Sequence, residues 1–351
     1  MVRRNPHARK QKPLVLLVAT LLLFAAVALV LSSCSRDQAS VLSSPTSAAS
    51  SSVAGAALSP HNPADVAVAM RAQNAHTPDL LRIPDVIGTG TGVGANGRLA
   101  VLVLTRRSGV GNIPGSVDGV PTEVRVVGDV VPYAKPGGGG PTCGTSTGNN
   151  LECSAGTIGA VVLKGSTKYL LSNNHVYARE NAASIGERED APGRYDGHPK
   201  CAVTPQCGTL SQFVNISFSG NNTIDCAIAL MDTGNPTSVV QSGGYTASST
   251  VVSPSVGLAV KKSGRTSGLT TGTIQAINVT ITVQYSSGVA TFTGQIMTPG
   301  SFIRAGDSGS LMVTQSGNNP VGLCFAGGSG GSFENPIGPV LQAFGATIAT
   351  Q

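Results

Sequence analysis

The sequence predicts a mainly β fold, and its composition is the basis for this class. Forty-five of the 351 residues are Gly, which favours frequent tight turns, and the runs between these glycines are rich in Val and Thr. Long stretches with apolar residues at the helical period are almost absent. At this length the chain can form one large domain or two modest ones, each with a hydrophobic core.

The N-terminus has the composition of an export signal. A basic stretch, Met1–Lys12, precedes the apolar run Leu14–Leu31, which ends at Leu31-Ser32-Ser33-Cys34. Residues 1–33 are therefore predicted to be a signal peptide. The closing tetrapeptide resembles the lipobox of bacterial lipoproteins, which implies that Cys34 is the first mature residue and carries lipid. The alternative is an uncleaved signal anchor, since the run nearly reaches the roughly 20 residues that span a bilayer. Either interpretation predicts export to the bacterial cell envelope and a membrane attachment.

The charge distribution argues against a nucleic-acid partner. The formal net charge is +6, but five basic residues lie within the first thirteen positions: Arg3, Arg4, Arg9, Lys10 and Lys12. Subtracting these five leaves +1, too little for a basic binding surface. Trp is absent and aromatic residues make up only 4%, so no stacking platform for bases is expected.

Composition also divides the chain into segments. Residues 34–60 are rich in Ser and Ala and lack apolar periodicity, which predicts a flexible tether. Residues 136–141 read Pro-Gly-Gly-Gly-Gly-Pro and are predicted to be a linker. We therefore expect a small α+β module at 61–135 and a second domain at 142–351.

Turn and cap signals predict the elements of the 61–135 module. They indicate a short helix from the Asn62 cap to Ala75, a hairpin with strands 89–94 and 98–105 around Asn96-Gly97, and a turn at Asp118-Gly119 before strand 120–127. No cluster of catalytic residue types lies in this module. We expect it to have a structural or substrate-positioning role, with a regulatory propeptide as the alternative.

Three motifs in 142–351 carry residues suited to acyl transfer. In chain order they are Ser172-Asn173-Asn174-His175-Val176, Thr223-Ile224-Asp225-Cys226-Ala227 and Gly306-Asp307-Ser308-Gly309-Ser310. A serine hydroxyl is a poor nucleophile at neutral pH, so it needs a His to take its proton and a carboxylate to orient that His. The motifs offer one residue for each role, and they predict a catalytic triad of His175, Asp225 and Ser308.

Further residues extend these motifs into a family pattern. Residues 142–351 resemble the chymotrypsin-like (trypsin-fold) serine peptidases, particularly the secreted bacterial streptogrisin and alpha-lytic group. The resemblance covers four blocks spread over most of this segment: 159–176, 223–230, 260–274 and 306–328. It implies two six-stranded antiparallel β-barrels and a serine endopeptidase that cleaves proteins or peptides through an acyl-enzyme. No metal or other cofactor is expected.

The resemblance also implies roles for residues around the nucleophile. The backbone N–H groups of Gly306 and Ser308 would form the oxyanion hole, and Ser310 replaces a Gly that is usual in the family. Asp307 would be buried and paired with a basic side chain, for which Lys262 and Arg265 are the candidates.

A specificity pocket is implied in the same way. The resemblance assigns Phe302 and Ile303 to its base and Gly327 to its wall, with no acidic residue at the expected position. We therefore expect a preference for apolar or small side chains rather than for Arg or Lys.

Six cysteines remain after Cys34, and six allow fifteen pairings. Short loops favour Cys143–Cys153 and Cys201–Cys207, and the resemblance implies that Cys226 lies near Cys324. The alternative for this last pair is two buried free thiols. Zinc binding by His198, Cys201 and Cys207 is also conceivable, but their spacing fits no common site.

Two functions are consistent with these patterns. The first is a serine endopeptidase anchored to the bacterial envelope. The second is a trypsin-fold binding or scaffold lipoprotein that is inactive or is autoinhibited by residues 61–135.

Overall fold

The computed structural model describes residues 58–130 and 141–351. Strands dominate this part of the chain, so the predicted mainly β class is confirmed. The predicted signal peptide, Cys34 and residues 34–57 of the tether lie outside the described residues, as do residues 131–140. Within the two described ranges, no helix is both long enough and apolar enough to cross a membrane.

The N-terminal segment contains one helix and four strands. They are α1 (Pro63–Leu80), β1 (Val86–Val93), β2 (Leu99–Thr105), β3 (Ser116–Val117) and β4 (Val120–Val126). Asn62 caps α1, since its Oδ1 accepts a hydrogen bond of 3.0 Å from the Ala64 N–H. The helix is longer than predicted and runs past Ala75 to Leu80. The predicted hairpin forms between β1 and β2, with Asn96-Gly97 in its turn.

An eight-stranded sheet forms most of the first half of residues 142–351. The elements between residues 142 and 246 are β5 (Thr142–Cys143), β6 (Ser146–Asn149), β7 (Gly156–Thr157), β8 (Ala160–Lys164), β9 (Thr167–Ser172), α2 (Asn174–Tyr177), β10 (Arg188–Asp190), a 3₁₀ turn (Arg194–Asp196), β11 (Gln206–Phe213), β12 (Asn221–Asn222), β13 (Ala227–Met231), β14 (Ser238–Gln241) and β15 (Tyr245–Thr246). With β23 (Thr347–Ile348), the sheet follows the order β23-β8-β9-β13-β11-β10-β6-β7, and a small sheet of β15, β14 and β5 lies beside it.

A twelve-stranded sheet contains the second half. Its path is β17-β16-β20-β21-β22-β19-β18-β1-β2-β4-β3, with β12 added beside β19. The elements are β16 (Ala259–Gly264), β17 (Gly268–Thr273), β18 (Ala276–Tyr285), β19 (Gly288–Thr298), β20 (Leu311–Thr314), β21 (Pro320–Gly328), β22 (Gly331–Pro336), α3 (Ile337–Phe344) and β23 (Thr347–Ile348). The last strand, β23, returns to the first sheet and pairs with β8.

The N-terminal segment continues the second sheet. Strand β1 pairs antiparallel with β18, and Gly88 lies opposite Ile281. A Cβ at Gly88 would lie 2.4 Å from the Thr280 carbonyl oxygen, so only Gly permits this close approach. The Gln73 side chain on α1 adds a hydrogen bond of 2.8 Å to the Asn278 carbonyl. The sequence predicts a separate module at 61–135, whereas its strands lie in the same sheet and the same compact unit as those of residues 142–351.

One disulfide joins Cys153 to Cys201, which corrects the predicted Cys143–Cys153 and Cys201–Cys207 pairs. Arg194 explains the pairing because its guanidinium donates to the carbonyls of Asn150 and Cys201 and so draws the two loops together. A disulfide is typical of a protein that functions outside the cytoplasm.

The other four cysteines in the described ranges are buried free thiols: Cys143, Cys207, Cys226 and Cys324. Cys226 and Cys324 are therefore the two buried free thiols of the alternative prediction, and they belong to different core clusters. Burial raises the pKa of the Cys143 thiol to about 12, which makes this thiol unreactive at neutral pH.

Candidate active site

Strand pairing brings His175 and Asp225 to the same edge of the first sheet. Ser172 at the end of β9 lies opposite Ala227 at the start of β13. His175 follows Ser172 on the short helix α2, and Asp225 precedes Ala227. Because the strands are antiparallel, the two residues lie beyond the same end of the pair.

The His175 and Asp225 side chains form a close hydrogen-bonded pair. His175 Nδ1 lies 2.6 Å from Asp225 Oδ2, and the His175 backbone N–H donates to Oδ1 at 3.3 Å. The His175 side chain is 9% exposed and the Asp225 side chain is fully buried. A carboxylate on Nδ1 holds the ring in the tautomer whose Nε2 can accept a proton from a serine.

Neighbouring amides hold the Asp225 backbone. Asn335 Oδ1 accepts from the Asp225 N–H at 3.0 Å, and Asn173 Nδ2 donates to the Asp225 carbonyl at 2.7 Å. Asn173 stands inside the His175 motif, so its proximity could be expected. Asn335 comes from β22, and no motif in the sequence identifies it.

Tyr285 is another contact that the sequence analysis missed. Its hydroxyl donates to Asp225 Oδ2 at 2.8 Å, and the residue lies at the end of β18, 60 residues from Asp225. Asp225 Oδ2 thus accepts hydrogen bonds from two buried side chains.

Ser308 lies in the loop between β19 and β20. Its Oγ donates to the Phe325 carbonyl on β21 at 3.2 Å. Because Nδ1 of His175 is bound to Asp225, Nε2 is the ring nitrogen that remains to act as an acceptor.

Two side-chain hydrogen bonds fix the peptide groups that precede Gly306 and Ser308. Thr266 Oγ1 donates to the Ala305 carbonyl at 2.5 Å, and Ser310 Oγ donates to the Asp307 carbonyl at 2.6 Å. In a trans peptide the N–H points opposite to the carbonyl, so the N–H groups of Gly306 and Ser308 point away from these donors. Gly306 has a φ of +99°, which favours Gly. These hydrogen bonds fix the orientation of the two peptide groups.

Lys262 lies against the buried Asp307 carboxylate. Its Nζ is 3.3 Å from Asp307 Oδ2, and both side chains are fully buried. Oδ1 also accepts from the N–H groups of Thr266 and Ser267, and Oδ2 accepts from the Arg304 N–H at 2.8 Å. Burial lowers the pKa of the Lys262 ammonium, and the attraction of Asp307 opposes that shift. This pair places two charges that compensate each other next to the loop that carries Ser308.

Arg265, the other candidate partner of Asp307, binds a different carboxylate. It forms a two-pronged ion pair with Asp196, with Nε–Oδ2 at 2.8 Å and Nη2–Oδ1 at 2.6 Å. Ser146 Oγ donates to the same carboxylate at 2.5 Å. Asp196 belongs to the first half of the fold, so Arg265 links the two halves instead of neutralising Asp307.

Two of the three residues proposed for the pocket, Ile303 and Gly327, lie next to Ser332. This residue lies opposite Gly327 across the β21–β22 pair, and its Oγ accepts from the Ile303 N–H at 3.2 Å. Phe302 is buried in the core of the second half, where it packs against Gly272. The three assigned residues are uncharged.

Glu334 lies two residues after Ser332 on the same strand and was not predicted. Thr298 Oγ1 donates to its Oε1 at 2.7 Å. Burial raises the pKa of the Glu334 carboxyl to about 8. The group is therefore mostly neutral at pH 7 and supplies little negative charge to this region.

Among the described residues, no group of three or more His, Cys, Asp or Glu side chains could hold a metal ion. Cys201 lies in the disulfide, so its thiol is not a ligand that could join His198 and Cys207.

The sequence matches no protein-family model and no curated protein sequence. Among solved structures, it is similar to Protease A of Thermobifida fusca and to a chymotrypsin of Cellulomonas bogoriensis. Each is 25% identical, with a TM-score of 0.42 for the first and 0.41 for the second, and each match covers 61% of this chain and 100% of that chain.

A third similar structure is the alpha-lytic protease homolog N4. It is 22% identical, with a TM-score of 0.43, over 60% of this chain and 100% of that chain. The solved structures to which this chain is similar are thus proteases, at low sequence identity.

Proposed function

We propose that the protein is a serine endopeptidase that hydrolyses peptide bonds through His175, Asp225 and Ser308. The observation that carries the proposal is the buried His175–Asp225 pair, which leaves Nε2 of His175 for the serine proton. Ser308 Oγ attacks the scissile carbonyl while His175 takes its proton and then delivers that proton to the leaving amine. The Gly306 and Ser308 N–H groups stabilise the tetrahedral oxyanion, and water then hydrolyses the acyl-enzyme.

The residues proposed for the pocket support a substrate preference, and the disulfide supports a location. The uncharged Phe302, Ile303 and Gly327, with Glu334 largely neutral, support a preference for apolar or small side chains before the scissile bond. The Cys153–Cys201 disulfide supports a location outside the cytoplasm. Residues 1–33 and Cys34 are proposed to attach the enzyme to the envelope, as lipoprotein or signal anchor.

A fluorophosphonate probe tests the proposal because it reacts with an activated serine and needs no known substrate. We expect the full chain, purified in detergent, to be labelled, and we expect Ser308→Ala to abolish the labelling. Ser316→Ala removes an exposed hydroxyl from a turn and should be labelled like the wild type. Equal labelling of wild type and Ser308→Ala would contradict the assignment of the nucleophile.

A second candidate function is an autoinhibited trypsin-fold protein, and the segment after β4 favours it. Val127 and Val130 are buried in one cluster with Phe325 and Ala326, next to the proposed pocket wall. The Val127 carbonyl accepts from the Gly330 N–H at 3.3 Å. This segment thus covers the turn between β21 and β22.

The variant Val130→Glu distinguishes the two candidates. A buried carboxylate is costly, so this change should displace the segment, whereas Val124→Glu alters a side chain that is 42% exposed and serves as control. Autoinhibition predicts that Val130→Glu is labelled at least tenfold faster than the wild type and that Val124→Glu is unchanged. Similar labelling of all three chains supports an uninhibited peptidase. A folded chain that resists labelling in every form supports a scaffold.

A further inference from the structure

The Tyr285 hydroxyl shares a carboxylate oxygen with the catalytic His. Asp225 Oδ2 accepts the Tyr285 hydroxyl at 2.8 Å and lies 2.6 Å from His175 Nδ1. A carboxylate with only one of these contacts could rotate about its χ2 angle, which is a broad torsion. Two donors converging on Oδ2, with the His175 N–H on Oδ1, fix the plane of the Asp225 carboxylate.

Packing fixes the tyrosine ring itself. Tyr285 is only 2% exposed, and its strand partner is Gly288 on β19. The ring contacts Phe218 edge-on, with centroids 6.1 Å apart, and it contacts Phe292 at the same separation. A side chain held on several sides can impose its position on a neighbour, whereas an exposed tyrosine could not.

The same ring also contacts the imidazole. The centroids of Tyr285 and His175 are 5.8 Å apart, and their planes meet at 64° in an edge contact. Tyr285 therefore touches both members of the His–Asp pair, one through its hydroxyl and one through its ring.

The hydroxyl remains a donor at all working pH values. Burial raises the pKa of the Tyr285 phenol well above its usual value, and the nearby Asp225 charge raises it further. A protonated phenol can only donate to an ionised carboxylate, so the direction of this hydrogen bond is set.

We propose that Tyr285 is a positioning residue that holds the Asp225 carboxylate in the orientation needed by His175 and restricts the swing of the imidazole. This role rests on the peptidase function proposed above. Tyr285 keeps its proton throughout the reaction and forms no bond to the substrate. It lowers the free-energy cost of orienting the His175 imidazole before proton transfer.

Two further titratable groups face this cluster. The Cys226 thiol lies beside Asp225, and burial raises the pKa of that thiol so that it stays neutral. Glu180 accepts hydrogen bonds from the N–H groups of Ser286 and Ser287, the residues that follow Tyr285.

Loss of the Tyr285 hydroxyl would leave less of the Asp225 charge compensated. The carboxylate would then attract a protonated His175 imidazole more strongly.

The test is Tyr285→Phe in the full chain, which removes one buried oxygen and retains the ring. We expect kcat to fall about tenfold, equal to about 1.4 kcal/mol, with KM unchanged. The acidic limb of the kcat/KM profile should move to higher pH. Tyr245→Phe removes the same atom from a different core cluster and should leave kcat and the pH profile unchanged. A peptidase whose kcat and pH profile are the same in both variants would overturn the role of Tyr285 but not the function.

A second substitution changes the strength of the hydrogen bond while it keeps the packing of the ring, so it separates the role of the hydroxyl from an effect on folding. Replacement of Tyr285 by 3-fluorotyrosine keeps the shape and makes the hydroxyl a stronger donor, so the acidic limb should move to lower pH. A shift in the same direction as Tyr285→Phe, or no shift, would refute positioning through the hydrogen bond.

Proton NMR provides a readout that needs no turnover. A short hydrogen bond from His175 Nδ1 to Asp225 should give a low-field resonance in the wild type that is broadened in Tyr285→Phe and retained in Tyr245→Phe. Retention in both variants would overturn the positioning role. A wild-type chain that does not react with fluorophosphonate would instead overturn the peptidase function, and the role of Tyr285 in it would fall with that function.

Discussion

Replacing Asp225 with Asn is expected to lower kcat by about 10⁴-fold while the protein stays folded. The Asp225 carboxylate accepts from His175 Nδ1, from the Tyr285 hydroxyl and from the His175 N–H, all of which are donors. An Asn has one acceptor oxygen and a donating amide. If its amide donates to Nδ1, the imidazole proton moves to Nε2, and the ring can no longer accept the Ser308 proton.

The rate of peptide hydrolysis under saturating substrate measures this effect, and circular dichroism verifies the fold. Asp232→Asn is the matched control, because Asp232 follows β13 and its Oδ1 accepts only a local bond from the Gly234 N–H. We expect that control to keep the wild-type rate. Equal rates for Asp225→Asn and Asp232→Asn would show that Asp225 does not orient the base.

The candidate triad could be proposed from the sequence because each of its three residues lies in a short motif of its own. His175 follows the end of β9 and Asp225 precedes the start of β13, so the local pattern already placed both at strand ends. Tyr285 has no such motif. Its contact with Asp225 depends on where β18 ends in the folded sheet, and that position is set by pairing with β19 and β1.

The disulfide illustrates the same limit. Short loops favoured Cys143–Cys153 and Cys201–Cys207, but chain distance is a weak guide when loops fold back on one another. Arg194 donates to both Asn150 and Cys201, and this tertiary contact brings Cys153 near Cys201. In the N-terminal segment, α1 and the hairpin were predicted from local signals. The pairing of β1 with β18 was not, because the local pattern of a strand does not specify which distant strand it pairs with.

The choice between Lys262 and Arg265 could not be made from the sequence either. Both are basic residues near the end of β16. Asp196, which attracts Arg265, belongs to a loop of the first half of the fold and carries no motif of its own. With Arg265 occupied, Lys262 is the cation that compensates Asp307.

Replacing Lys262 with Met is therefore expected to lower the free energy of unfolding by about 3–5 kcal/mol, since it leaves the Asp307 carboxylate buried without a counter-ion. Lys262 Nζ also donates to Ser267 Oγ at 2.5 Å and to the Gly268 carbonyl at 3.1 Å, and these contacts are lost too. Urea unfolding measures the change. Lys261→Met is the control: Lys261 Nζ lies 4.6 Å from the Tyr245 ring centroid, an interaction worth about 1 kcal/mol or less.

A double variant identifies the cause of the loss. Lys262→Met combined with Asp307→Asn removes both charges, so it should recover part of the stability lost in Lys262→Met. If the loss reflected only a poorly packed methionine, the double variant would be no more stable than the single one. Activity should respond differently, because the Asp307–Ser308 peptide carries one N–H group of the proposed oxyanion hole. An Asn at 307 cannot accept from the Thr266, Ser267 and Arg304 N–H groups as a carboxylate does, so kcat should stay low even where stability returns. Recovery of stability without recovery of kcat would therefore separate charge compensation at Asp307 from its second task of shaping the nucleophile loop.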